Sequence, residues 1–214
     1  MLVGLERLDP IKGLIEKLEG YREFLKRYPQ YRGQVVLRQA AQASRMDIKA
    51  YQDLDRQFDE LVEQINRENQ YVVDPKTKKQ TKTPHPAVIV SKDGWNRDFV
   101  LSHLSIADAV MINSLRDGMN LVAFESEVTQ RDRENPAVLI LSQEAGAASW
   151  LPGAVIVDPT SPSQIAEAIH QAIEMSVEER RERNVANLAH IDERTSITWT
   201  RDSLAAIAAT FKVP

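Results

Sequence analysis

Residues 109–128 read AVMINSLRDGMNLVAFESEV and pass from an apolar run, through a polar loop, to a second apolar pattern. The first run, Ala109 to Ile112, is continuously apolar, which is typical of a strand buried on both faces. In the second run, apolar residues recur at helical spacing at Leu121, Val122, Phe124 and Val128. A buried strand followed at once by a helix predicts an α/β fold, in which helices cover both faces of a parallel sheet.

The same alternation runs through the rest of the chain. Apolar strand-like runs lie at residues 1–6, 34–41, 87–90, 137–142 and 153–158. Helical patterns lie between and after them, and Asp47 is placed to cap the longest one. Residues 69–84 are polar and lysine-rich without a period, which predicts an exposed loop or hairpin. We therefore expect residues 1–195 to form one domain.

The end of the chain carries two further helical patterns. In residues 176–191, Arg180, Arg181 and Arg183 alternate with glutamates, which predicts a solvated, ion-paired helix face. Residues 196–214 are predicted to hold a terminal helix with an apolar stripe of Trp199, Leu204, Ile207, Ala208 and Phe211. Little chain remains to cover this stripe, so we expect the helix to pack on a surface from elsewhere.

Composition excludes several classes of protein. The 214 residues are 43% hydrophobic without a run long enough to span a membrane, and no export signal is evident. The chain has no cysteine, so disulfides and thiolate metal sites are excluded, and the four histidines show no ligand spacing. A net charge of −4 gives no general affinity for nucleic acid. We expect a cytoplasmic protein without a metal.

Two loops that follow predicted strands carry basic residues. ERLDPIKG places Arg7 and Lys12 where an open parallel sheet binds ligands, just before a helix, so together they are suited to a diphosphate. The alternative is a surface pair of Arg7 with Asp9 and a solvated lysine. In QASRMD, Arg45 precedes the next helix, where a lone arginine is more often solvated than bound to a ligand.

The loop of the opening stretch is a third candidate. If its helix begins near Gly118, the free backbone N–H groups from Gly118 to Leu121 point to the same edge as Arg7. Asp117 is able to accept hydrogen bonds from sugar hydroxyls. Glu125 lies about 10 Å further along the helix, the reach from a diphosphate to a ribose. The alternatives are a helix cap for Asp117 and a surface carboxylate for Glu125.

Four segments together resemble one family. ERLDPIKG, VVLRQAAQASRMDIKAYQDL, RDGMNLVAFE and LILSQEAGAASWLPGAVIVDP are similar to successive segments of the C-terminal, donor-binding domain of the trehalose-phosphate synthases, which are retaining glycosyltransferases. The likeness runs from Leu2 to Phe211 and is poor at residues 69–84 and around Trp95. It implies a Rossmann-like domain, the C-terminal half of a GT-B enzyme. It also implies a nucleotide-sugar donor, such as UDP-glucose or GDP-glucose, and no cofactor.

The resemblance implies a role for each matching residue. Arg7 and Lys12 would hold the leaving diphosphate, Arg45 the phosphate of the acceptor, and Glu125 the ribose. The donor sugar and phosphates would meet Asp117, Gly118, Met119, Asn120 and Leu121. The family transfers the sugar by a front-face reaction without a protein nucleophile, so the two cations would act by stabilising charge on the diphosphate.

Two departures from the family keep alternatives open. Phe124 stands where the family commonly has lysine, so the acceptor could instead be glycerol phosphate or a cyclitol phosphate. The chain also begins where the family's second half begins, so we expect it to need an N-terminal half, in cis or in trans, and to turn over little alone. A non-catalytic nucleotide-binding or regulatory module is the remaining alternative, and homo-oligomerisation is open.

Overall fold

The fold is an α/β sandwich around one six-stranded sheet. The computed structural model describes residues 1–73, 76–93 and 95–210. Its strands are β1 (Leu2–Arg7), β2 (Leu37–Gln42), β3 (Tyr71–Val73), β4 (Gln80–Lys82), β5 (Val88–Ser91), β6 (Ala109–Ile112), β7 (Val138–Ser142) and β8 (Val155–Val157). Its helices are α1 (Leu14–Arg27), α2 (Lys49–Glu68), α3 (Arg97–Ile106), α4 (Leu121–Thr129), α5 (Pro162–Glu174), α6 (Val177–Glu193) and α7 (Ser196–Thr210).

The six-stranded sheet is parallel throughout, in the order β5-β2-β1-β6-β7-β8. From β1, the chain first adds β2 and β5 on one side of the sheet and then β6, β7 and β8 on the other side. In open sheets of this kind, ligands bind where the direction of strand order changes in this way. Helices α1, α2 and α5 cover one face around a core that includes Leu18 and Phe24. Helices α3 and α4 cover the other around Val110 and Leu139. The predicted fold is confirmed.

Helix α1 packs closely on α5 because one residue has no side chain. A Cβ atom on Gly20 would lie 2.3 Å from the Cγ2 atom of Ile165, a distance that no packed side chain tolerates. The α1–α5 contact fixes the direction of α1, and thereby the position of the loop that leads into it.

Of two local predictions, the cap of α2 differs from the structure and the hairpin at residues 69–84 agrees with it. Helix α2 begins at Lys49, its N-cap residue is Ile48, and no side chain caps it, so the predicted Asp47 cap is wrong. Residues 69–84 contain a short antiparallel hairpin, in which Tyr71 pairs with Lys82. Residues 74 and 75 of this segment lie outside the described residues.

Arg180 was predicted to be solvated, and this is wrong. Only 7% of the residue is exposed, and its guanidinium donates hydrogen bonds to the carbonyls of Asp108 (2.8 Å), Met175 (3.1 Å) and Ala172. It provides a donor for the Ala172 and Met175 carbonyls at the end of α5, where a helix leaves its last carbonyls unpaired, and a second donor for the Asp108 carbonyl, which also accepts from the Val138 N–H. Arg183 does form the predicted kind of contact, a 2.9 Å ion pair with Glu179.

Helix α7 has no buried residue. Its apolar side chains face solvent: Ile197 is 79% exposed, Trp199 72%, Leu204 61% and Ile207 53%. Phe211, which was predicted to extend this stripe, lies outside the described residues. In the described part of the chain, no helix combines the length and apolar character needed to cross a membrane.

Candidate anion site at the carboxyl edge of the sheet

The loop after β1 is a tight turn that directs Lys12 across the sheet edge. Asp9 caps a short 3-10 turn, Pro10–Lys12, by accepting a hydrogen bond from the Ile11 N–H at 3.2 Å. Gly13 then takes the left-handed conformation, with φ 63°, and α1 begins. A Cβ atom on Gly13 would lie 2.0 Å from the Asn113 carbonyl oxygen. The loops after β1 and β6 therefore touch at a position that only glycine fits.

Asn113 connects the loop after β6 to its neighbours. Its side-chain amide donates to the carbonyl oxygen of Gly13 at 3.3 Å and to that of Pro159 at 3.0 Å. The Leu115 N–H also donates to the Ile11 carbonyl at 2.8 Å. These bonds hold the loops after β1, β6 and β8 against one another.

Helix α4 begins three residues later than the sequence predicted. It starts at Leu121 rather than near Gly118, because Asn120 is left-handed with φ 70° and caps the helix by accepting from the Ala123 N–H. The backbone N–H groups of Leu121 and Val122 open its first turn, where a helix has no internal acceptors. Leu121 and Val122 line the cavity described below, whereas the Asp117 N–H donates to the Glu144 carbonyl at 3.1 Å.

Lys12 and Asp117 form an ion pair between the two loops. The Lys12 Nζ atom is 2.6 Å from the Asp117 Oδ2 atom, and the side chains are 16% and 15% exposed. Asn120 and Ser114 donate to the same oxygen at 2.9 and 3.3 Å. Burial alone would raise the pKa of Asp117, but the Lys12 charge and these donors bring that pKa below its ordinary value. Asp117 is therefore a carboxylate at neutral pH.

Arg7 lies at the end of β1, beside this pair, with its side chain exposed. Within the described residues its guanidinium has no hydrogen-bond or ion-pair partner. The alternative pair with Asp9 does not form, since Asp9 is 8% exposed and its carboxylate accepts from Ile11 and Tyr51. Among the residues that the structure describes, Arg7 is thus a cation without a counter-ion at the sheet edge, which suits it to an anionic ligand.

A cavity of about 320 Å³ joins these groups. Arg7, Lys12, Asp117, Asn120 and Leu121 all line it, so the structure brings together the predicted cations and the start of α4. A helix N-terminus with two nearby cations is a favourable environment for a phosphate. The convergence that the sequence predicted is observed.

The other candidate residues lie around this cavity. Gly118 is exposed, and a Cβ atom there would meet nothing within 4 Å. Met119, 37% exposed, faces a second cavity of about 610 Å³ lined by Trp150 and Trp199. Glu125 is partly buried on α4, one turn beyond Leu121, and does not line the first cavity. Gly118 and Met119 thus lie in sequence between two residues of the cavity, Asp117 and Asn120, without lining it themselves, and Glu125 is separated from it by a helical turn.

Arg45 lies on the neighbouring loop, after β2, and has the left-handed φ of 48°. Its guanidinium is 3.4 Å from the Tyr51 hydroxyl, which in turn donates to Asp9 at 3.3 Å. Arg45 is exposed and reaches the Arg7 loop through these two residues rather than by direct contact. Arg45 therefore lies at the same edge of the sheet but does not line the cavity.

Sequence reasoning missed Glu6 and Trp95, which also line the cavity. Glu6 is buried with Lys17 and Gln39 on the α1 side of the sheet. The sequence does contain a signal for this buried cluster. Lys17 falls three residues after Leu14, within the apolar stripe of α1, and a lysine is seldom buried there without a charged partner.

The comparisons with known proteins agree over nearly the whole chain. The model of glycosyltransferase family 20 matches residues 1–209. A UDP-forming alpha,alpha-trehalose-phosphate synthase A of Dictyostelium discoideum is 37% identical over 199 residues, which are 93% of this chain and 25% of that protein.

Solved structures of the same enzyme type also superpose on this chain. An E. coli structure described as trehalose-6-phosphate bound with UDP-2-fluoro glucose has a TM-score of 0.85, at 31% identity over 100% of this chain and 44% of that one. A Burkholderia xenovorans trehalose-phosphate synthase in complex with glucose-6-phosphate has a TM-score of 0.83, at 31% identity over 96% of this chain and 42% of that one. The chain thus spans less than half the length of these proteins. It belongs to glycosyltransferase family 20.

Proposed function

We propose that this chain is the donor-binding half of an alpha,alpha-trehalose-phosphate synthase and holds a nucleoside-diphosphate glucose at the carboxyl edge of its sheet. The observation that carries the proposal is the meeting of Arg7, Lys12 and the first turn of α4 in one cavity. Two cations and free helix amides are the groups that bind a diphosphate. Family membership supplies the reaction to which this site belongs.

In this proposal the diphosphate lies between Arg7 and the amides of Leu121 and Val122. Lys12 then shares its charge between the ligand and Asp117. The Asp117 Oδ2 atom is occupied by Lys12, Asn120 and Ser114, which leaves Oδ1 for a hydroxyl of the donor sugar. Gly118 and Met119 border the sugar, and Glu125 meets the ribose.

UDP-glucose is the donor that the relatives favour. The curated relatives are UDP-forming enzymes, and the E. coli structure holds a UDP-sugar analogue. The acceptor is proposed to be glucose 6-phosphate, the ligand of the Burkholderia xenovorans complex, with Arg45 on its phosphate. These relatives do not favour glycerol phosphate or a cyclitol phosphate.

The chemical contribution of this half is electrostatic. When the glycosidic bond of the donor breaks, negative charge grows on the leaving diphosphate, and Arg7, Lys12 and the start of α4 stabilise that charge. The acceptor pocket is proposed to lie mainly on an N-terminal half, with residues 1–195 as the donor domain. The exposed side chains of α7 are then expected to pack on that half.

Calorimetry with UDP tests donor binding directly. Arg7→Ala and Lys12→Ala each remove one charge-assisted contact and should weaken UDP binding about tenfold or more. Arg56→Ala is the matched control, because Arg56 is 68% exposed on α2 and forms an ion pair with Asp53, away from the cavity. Unchanged affinity in Arg7→Ala and Lys12→Ala, or no affinity for UDP, GDP or ADP, contradicts the proposal.

A second experiment tests the reaction itself. This chain is mixed with the N-terminal half of a related synthase, and glucose transfer from UDP-glucose to glucose 6-phosphate is measured. Transfer that disappears in Arg7→Ala supports the proposal. UDP binding together with transfer to a different phosphorylated acceptor would identify another synthase, and binding without any transfer would leave a nucleotide-binding module.

A further inference from the structure

A charged cluster is buried immediately behind the cavity. The side chains of Lys17 and Glu6 are 0% and 1% exposed and form an ion pair through Glu6 Oε1. The side-chain amide of Gln39 donates to the other oxygen, Oε2, at 2.7 Å. Both carboxylate oxygens of Glu6 are therefore held from inside the domain.

Stability does not explain this cluster. A buried ion pair contributes little beyond what apolar residues of the same volume would give, because both charges lose their hydration. Burial lowers the pKa of Lys17, and the charge of Glu6 opposes that effect only in part. Strand β1 makes room for the cluster because it has a glycine at position 4. A Cβ atom on Gly4 would lie 2.2 Å from Gln39 Oε1 and 2.7 Å from Lys17 Nζ.

The position of Glu6 points to the site. Glu6 directly precedes Arg7 at the end of β1 and lines the same cavity as Arg7 and Lys12. A carboxylate released into this cavity would pair with Arg7, which has no other partner among the described residues. It would also repel a diphosphate, since like charges at close range oppose binding.

We propose that Lys17 and Gln39 are positioning residues, which hold the Glu6 carboxylate inside the domain so that Arg7 stays available to the diphosphate of the donor. The inference rests on the proposed function, because it assigns a task to residues behind the same site. Lys17 and Gln39 act through Glu6 and do not touch the ligand.

The test compares UDP affinity in three variants by calorimetry, on protein shown to be folded by circular dichroism. Lys17→Met should raise the Kd for UDP about tenfold, since it releases Glu6 toward Arg7. Adding Glu6→Gln to Lys17→Met should bring the Kd back to within about threefold of the unaltered chain, because the repelling charge is gone. Lys26→Met, an exposed lysine of the same helix, is the control and should leave the Kd unchanged.

A purely structural role would alter the unfolding midpoint but not the Kd of the folded protein. If Lys17→Met does not fold, Gln39→Leu keeps the ion pair and replaces it in the test, with a rise in Kd of about threefold that Glu6→Gln again reverses. Folded Lys17→Met or Gln39→Leu with unaltered affinity overturns the inference, as does a Glu6→Gln change that restores nothing. An unaltered chain that fails to bind UDP or UDP-glucose refutes the proposed function, and this inference with it.

Discussion

Glu127 is a buried carboxyl group whose ionisation should cost stability. It lies on α4, is 2% exposed, and meets α6, where the Asn184 amide donates to it at 2.7 Å. Burial raises its pKa from 4.5 to about 7, and the hydrogen bonds with Asn187 and Asn184 oppose this rise only in part. The described residues around it provide no cation in contact with the carboxylate.

The pKa difference sets both the sign and the size of the effect. A carboxyl group whose pKa is raised in the folded state ionises more readily in the unfolded state, so its ionisation destabilises the fold. The stability that the protonated group contributes is therefore fully present below pH 4.5 and is lost as the pH rises to about 7. At 1.36 kcal/mol for each pKa unit, ionisation costs about 3 kcal/mol once both states are charged. Glu127→Gln removes the charge and keeps an acceptor for Asn184, so the variant should be more stable by that amount near pH 8.

Urea unfolding at a series of pH values measures the difference. We expect Glu127→Gln to exceed the unaltered chain by about 3 kcal/mol near pH 8 and by less than about 1 kcal/mol near pH 5. Glu60→Gln, an exposed change on α2, should show no such dependence. A Glu127→Gln advantage that is absent near pH 8, or equal at all pH values, would refute the reasoning.

Three further predictions concern the site and the frame around it. Asp117→Asn should weaken UDP-glucose binding about tenfold but UDP binding less than threefold, because the sugar contact is lost while Lys12 is freed; calorimetry with both ligands measures the ratio. Gly13→Ala should lower the free energy of unfolding by about 2–4 kcal/mol in urea, since its Cβ atom would meet the Asn113 carbonyl at a left-handed φ. Arg180→Leu should cost about 2–4 kcal/mol in the same assay, because the carbonyls of Ala172 and Met175 lose this buried donor. Unfolding curves that match the unaltered chain would contradict either of the last two.

Much of the site followed from chain order alone. The carboxyl ends of parallel strands share one edge of a sheet, so two loops with cations and one with free amides had to come close once the strands were recognised. That argument placed Arg7, Lys12 and the start of α4 together before any coordinates. The ligand-binding roles of all these residues stay predictions, and Arg45 and Glu125 do not line the cavity.

Details that depend on contacts distant in sequence were not predictable. The pairing of Lys12 with Asp117 joins residues 105 positions apart, and no local pattern specifies it. The late start of α4 follows from the left-handed φ of Asn120, a conformation that sequence spacing does not reveal. Arg180 was predicted to face solvent because its neighbours in sequence are charged. In the structure its guanidinium is buried because it donates hydrogen bonds to carbonyls at the end of α5.

The hydrogen bonds of Asn113 have a mechanical consequence for any closing motion. One side-chain amide joins the segments that contain Gly13 and Pro159, so neither is able to shift far without stretching a bond to the other. A ligand that displaces one of these segments is therefore expected to displace the other as well, so the two segments should move together. Any conformational change at this edge of the sheet must then come from residues outside these two segments.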